Sequence, residues 1–131
     1  VVKNVPLLKD LDLDTILSIM QNLRSQTFMP GEHVYKQDDT GDFLYFVKYG
    51  QLELYLADQS TTVMSLLRGD MFGQDALVDP DNPRHQANVR ACKYSEVLYL
   101  DVDTYVELAI DSKRLRELVE REAKREQDVR Q

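Results

Sequence analysis

The sequence predicts an α+β fold: an antiparallel, jelly-roll-like β-roll of about eight strands, one helix before it, a short helical turn within one loop, and two helices after it. Three observations carry this. Apolar residues recur at helical spacing near the start of the chain. From Glu32 onward the rhythm changes to short alternating or continuous apolar runs separated by Gly, Asp and Ser. The chain then returns to helical spacing on a charged background.

Between Asp12 and Leu23 the residues Leu13, Ile16, Leu17, Met20 and Leu23 share one oily helical face. Asp12 or Asp14 supplies a carboxylate to cap the free amides of the first turn. Pro30-Gly31 is a turn. The strands follow: EHVYKQ, FLYFVKYG, QLELYLA and TTVMSLL, divided by Asp-Asp-Thr-Gly-Asp, by Gly50 and by Asp58-Gln59-Ser60. Leu52, Leu54 and Leu56 fall on one face of their strand, with Gln51, Glu53 and Tyr55 on the other. ANVRACKY and EVLYLDV are two more. Asp103 is placed to cap TYVELAI. A last helix from about Ser112 carries a narrow stripe of Leu115, Leu118 and Val119, weakly continued by Ala123. Glu117 and Arg121 form an attractive pair four apart, and Glu122 and Glu126 a repulsive one. This helix reads either as a solvated end held by a few apolar contacts or as a lid.

A length of 131 residues suits one domain, with a helical part over 1–30, the roll over 31–102 and the closing helices over 103–131. The formal net charge of −7 leaves no basic field to replace phosphate counterions, which argues against a nucleic-acid partner. No apolar run approaches membrane-spanning length. Val1 opens without a methionine, so the chain is expected to be a piece of something longer. The single cysteine, Cys92, cannot form an internal disulfide and is expected to be a small buried or half-buried residue.

Catalysis is poorly supplied. His33 and His85 sit in different elements, no nucleophile elbow is present, and no His or Cys pair has metal spacing. The expectation is a non-enzyme without a metal or resident cofactor. The stretch GDMFGQDALVDPDNPRHQANVR, Gly69 to Arg90, offers more. Gly73 stands where backbone approaches something closely. The residues after it can make a short helix whose first amides attract an anion. A cationic side chain from the far end of the loop would complete a clamp. A plain bulge and crossover is the other reading of the same letters.

In order and spacing, PGEHVYKQDDTGDFLYFVKYGQLELY, then GDMFGQDAL, then ANVRA, resemble the cyclic-nucleotide-binding domain over nearly the whole chain. The nearest flavour is the cytosolic domain of cyclic-nucleotide-gated, hyperpolarisation-activated and ether-à-go-go-type channels, and VVKNVPLLKDLD resembles the end of the linker to a pore. Sperm-type sodium/proton exchangers carry a similar module.

The resemblance implies a ligand, cAMP or cGMP, whose cyclic phosphate lies on the short helix and is paired by an arginine. A glutamate takes the ribose hydroxyl, and the terminal helix folds over the base. By position, Phe72, Gly73, Gln74, Asp75 and Ala76 stand at the phosphate and ribose, joined by Arg84, His85, Gln86 and Ala87 from the far end of the loop. Leu54, Val63 and Met64 match positions near the purine, and the lid, over Leu118 to Arg130, brings Glu126 and Arg130 to the base. Gln74 stands where the family has its glutamate, His85 where it has its arginine, and Gln86 where it has threonine.

Gln74 keeps an acceptor without charge, and His85 lacks a permanently charged fork. With charged hydrogen bonds contributing roughly 1.5–3 kcal/mol each, the two departures weaken binding by roughly 100- to 10,000-fold. A histidine partner for phosphate serves best as imidazolium, at or below a pH of about 6.5. The implied protein is a regulator at the cytoplasmic face of the plasma membrane, a tetramer joined to a channel or exchanger portion of its own chain. The alternatives are a non-binding homology domain acting in assembly or gating, and a pocket for a different small ligand.

Overall fold

Every second residue of a strand faces the same way, and here the two faces of one strand serve two different cores. The computed structural model describes residues 10–56 and 62–130. The order is α1 (Leu13–Asn22), β1 (Arg24–Phe28), β2 (His33–Tyr35), β3 (Phe43–Tyr49), β4 (Gln51–Tyr55), β5 (Thr62–Leu67) and β6 (Met71–Phe72), a short 3-10 helix (Gln74–Val78), then β7 (Asn88–Ala91), β8 (Ser95–Asp101), α2 (Val102–Asp111) and α3 (Lys113–Arg130). Two four-stranded sheets result, ordered β1-β8-β3-β6 and β2-β7-β4-β5, with antiparallel pairing throughout.

β3 explains the continuous apolar run FLYFV. Leu44 and Phe46 join Leu98, Leu100, Ile19, Leu115 and Leu118 in a core between sheet and helices. Tyr45 and Val47 point into the roll, with Leu52, Leu54, Phe72 and Val89. A strand buried on both faces needs no polar side. β4 alternates as expected: Leu52 and Leu54 are fully buried, each worth roughly 1.5–3 kcal/mol of apolar transfer.

Four details depart from the sequence reading. β1, within the stretch assigned to the helical part, is a strand paired along its length with β8; four of its five residues are exposed, so it carries no alternation to read. The packed face of α1 is turned from the expected one. Ile19 is buried, with Ile16 and Leu23 against the same core, whereas Leu13, Leu17 and Met20 are exposed. The cap of α2 is Asp101, which accepts from the Asp103 amide at 2.8 Å; Asp103 lies within the first turn. Cys92 is exposed, because it follows β7 at the turn into β8.

The other helix ends follow expectation. Asp12 caps α1, accepting from the Thr15 amide at 3.2 Å. Leu115, Leu118 and Val119 are buried. Glu117 pairs with Lys113 at 3.8 Å rather than with Arg121. The turn Asp58-Gln59-Ser60 and the linker-like residues 1–9 lie outside the described residues, as do the side chains of Val129 and Arg130.

Candidate functional site

β6 ends at Phe72, which is fully buried and stacked on Tyr45 with centroids 4.9 Å apart. Gly73 follows with φ +95°, a left-handed conformation that favours glycine. A Cβ there would meet the Phe43 carbonyl and the Tyr45 ring, each at 2.9 Å. The chain then turns into the 3-10 helix, whose Gln74, Asp75 and Ala76 are all buried. The Ala76 amide donates back to the Gly73 carbonyl at 3.4 Å. Gly41 lets this turn seat against the roll, since a Cβ on it would stand 2.0 Å from the Ala76 methyl.

Asp75 is the centre of the site. Its carboxylate is fully buried and lies 2.9 Å from His85 Nδ1. It also accepts from the Gln86 amide at 2.6 Å. The Gln86 side chain donates to the Asp75 carbonyl at 3.4 Å. The far end of the loop is thus tied to the 3-10 helix through an internal anion. A buried carboxylate is tolerated only with such charge-assisted partners. The His85 ring lies flat on Tyr35, centroids 3.4 Å apart and planes 5° from parallel. Burial first, then the Asp75 and Glu126 carboxylates, hold the Tyr35 hydroxyl well above its ordinary pKa. It stays neutral through the physiological range.

α3 closes the site from above. The Gln74 side-chain amide donates to the Glu122 carbonyl at 3.3 Å. One turn on, Glu126 is 2% exposed, near enough to Tyr35 to act on its hydroxyl. A helix that reads in sequence either as a solvated end or as a lid therefore carries a carboxylate into the protein.

The structure brings the buried Gln74, Asp75, His85 and Glu126 and the half-buried Gln86 into one polar cluster, with Tyr35 and Gly41 added. Ala87 and Leu54 are fully buried core, and Val63 and Met64 are partly buried against it. Arg84 goes elsewhere: it is exposed and donates to the Asp38 carbonyl at 3.3 Å, the Thr40 hydroxyl at 3.2 Å and Asn82 at 3.3 Å. Arg130 ends α3, with its side chain outside the described residues. Tyr35 was missed because β2 offers only three residues of pattern. The Gly41-Asp42 pair before FLYFV was the available signal for close approach. Among the described residues no group of three or more His, Cys, Asp or Glu is arranged to hold a metal ion, and no helix is long and apolar enough to cross a membrane.

A family model described as "Cyclic nucleotide-binding domain" matches residues 25–121. The cyclic nucleotide-gated channel alpha-2 of Bos taurus is 28% identical over 122 residues, 88% of this chain and 18% of that protein. The cyclic nucleotide-gated channel beta-3 of Homo sapiens is 29% identical over 120 residues, 88% and 15%. This chain therefore spans less than a fifth of those channels. Among solved structures, a chain described as cAMP-bound PfPKA-R superposes with a TM-score of 0.83 at 24% identity, covering 97% of this chain and 43% of that one. The regulatory subunit of a cAMP-independent protein kinase A from Trypanosoma brucei gives 0.81 at 21%, covering 93% and 43%. Both are under 25% identical, so what they share with this chain is the fold.

Proposed function

Because the chain belongs to the cyclic nucleotide-binding domain family, we propose that it is the regulatory domain of a longer membrane protein, and that its affinity for cAMP or cGMP is low because its anion site is already filled from within. The observation that carries this is the Asp75 carboxylate, which takes the Gln86 amide at 2.6 Å and faces His85 Nδ1 at 2.9 Å. These are groups at the loop end that the family likeness assigns to the ligand's phosphate.

A cyclic phosphate entering this cradle meets a carboxylate instead of free donors. It also meets α3, seated through Gln74–Glu122 and through the buried Glu126. Binding therefore requires α3 to lift and the loop to exchange Asp75 for phosphate. Lifting of α3 is the movement passed to the rest of the protein. Similarity to cyclic nucleotide-gated channels favours a channel as that effector, on the cytoplasmic face of the plasma membrane and in a tetramer; a sodium/proton exchanger is the alternative. The role is regulatory, not catalytic.

A second reading has the same observation in its favour: two protein carboxylates, Asp75 and Glu126, lie inside the site, so the domain acts in gating or assembly without nucleotide. Titration calorimetry of the chain with cAMP and cGMP separates the two. The sensor reading expects weak heats, tightened at least about tenfold in a Gln74→Glu, His85→Arg double variant, a step of about 1.4 kcal/mol. Absence of heat from both proteins leaves the second reading.

A further inference from the structure

A groove of about 770 Å³ opens beside the 3-10 helix. Its walls are the segment over residues 77–83, the first turns of α2 and residues 119–127 of α3. The apolar lining comes from Phe43, Leu77, Tyr105, Val119 and Ala123. Four carboxylates stand around it: Asp42, Asp101, Asp103 and Glu120. Lys124 is the one cation among its lining residues. Among the described residues none of the four enters a salt bridge. Asp101 is partly used, since one of its oxygens caps α2. The negative field reaches the tyrosines nearby. Burial first and then Asp42 push the Tyr45 hydroxyl up to about 12, and burial first and then Glu120 raise that of Tyr105.

A second observation points to a ligand. Gln74 lines the groove and is 2% exposed. Its amide nitrogen is satisfied by the Glu122 carbonyl, but its oxygen is buried without a hydrogen-bond partner. Exchanging the two amide atoms would set the oxygen against the Glu122 carbonyl and leave the nitrogen unmatched as well. Buried acceptors left unmatched are uncommon and call for a donor. Concavity of this size, a mainly apolar lining and a few convergent polar groups are the ordinary features of a small-molecule site.

We propose that this groove binds a small organic cation, an alkylammonium carried on an aromatic or aliphatic body, at a site that adjoins the nucleotide cradle and shares Gln74 with it. The body rests on Leu77, Tyr105, Val119 and Ala123, the ammonium sits among Asp42, Asp103 and Glu120, and a donor on the body meets the Gln74 oxygen. A compact ligand suits a hollow closed on three sides better than an extended polypeptide does.

The test titrates the full chain with tryptamine at neutral pH, following backbone amides by two-dimensional NMR. Tryptophol, which keeps the indole and replaces the ammonium by a hydroxyl, is the comparator. Shifts should cluster at residues 42–43, 77–78, 101–106 and 119–127, and tryptophol should bind at least about tenfold more weakly. An Asp42→Asn, Glu120→Gln double variant should narrow that difference, and Ala123→Trp, which fills the groove, should abolish binding. Equal affinity for the two compounds overturns the proposal. So does saturation that maps to the roll interior, or no response at about 10 mM tryptamine, where even a millimolar site would be mostly filled. Preferential capture of a basic peptide over tryptamine would assign the groove to a protein partner instead.

Discussion

Asp75→Asn removes the internal anion while keeping the side chain's shape. A phosphate oxygen bonded to the Gln86 amide must displace the carboxylate oxygen now 2.6 Å from that nitrogen; a displaced carboxylate that stays in the site is taken at a separation of about 5 Å from the phosphate. At an effective dielectric of about 20 their repulsion is about 3 kcal/mol, or roughly two decades of affinity. Neutralising Asp75 removes that repulsion and leaves the Gln86 amide with a weaker internal competitor. The substitution also loses a charge-assisted hydrogen bond in a buried site, so the fold should weaken by roughly 1–3 kcal/mol. The assay is titration calorimetry with cAMP and cGMP, with chemical denaturation alongside to establish that the variant is folded. Affinity should rise between tenfold and a hundredfold. Unchanged or weaker affinity in a variant with native cooperativity would refute the self-filled cradle. Glu126→Gln, which neutralises the other buried carboxylate, supplies an independent check if Asp75→Asn folds poorly.

Gly41→Ala would drive a methyl to within 2.0 Å of the Ala76 side chain; the cost of such overpacking is about 1–3 kcal/mol, read as a lower denaturation midpoint with an unchanged slope. Ser112→Ala removes the hydroxyl that accepts from the Leu115 amide at 3.2 Å, so α3 should lose about 1 kcal/mol of end stabilisation, and hydrogen exchange should quicken first in its opening turn. The Glu96 carboxyl is held below its ordinary 4.5, first by the Ser25 hydroxyl and then by Lys48. A depressed carboxylate lends stability that is present above the unfolded value and lost as pH falls through the folded one. Ser25→Ala should therefore raise the Glu96 titration midpoint by NMR and reduce stability near neutral pH more than at pH 2; an unmoved midpoint would show that the hydroxyl is not the cause.

Much of the framework was legible. The period-two alternation of Leu52 and Leu54 and the stripe of Leu115, Leu118 and Val119 are local patterns, and both sets are buried as read. The glycine at 73 announced a turn that admits no side chain. The order of elements followed from these and from the Gly and Asp breaks between them. β1 escaped because Arg24, Ser25, Gln26 and Thr27 are all exposed, and its strand state comes from pairing with β8, some seventy residues away. The face of α1 also escaped, because Leu13, Leu17 and Met20 and the buried Ile19 all belong to one apolar helix, and only the neighbouring sheet decides which side is covered.

The candidate site divides along the same line. Sequence alone set where the chain turns, which strands carry a core face, and which residues of the Gly69–Arg90 loop are polar. It left open which of 23 acidic residues go inside. Asp75 and His85 are ten residues apart, and Glu126 lies in a helix whose residues are charged at 12 of 18 positions; their burial depends on the loop folding back and α3 docking on the 3-10 helix. Periodicity is a property of neighbours along the chain. The cost of burying a carboxylate is met only by donors brought from elsewhere in the fold, so the filling of the cradle was decided by tertiary structure.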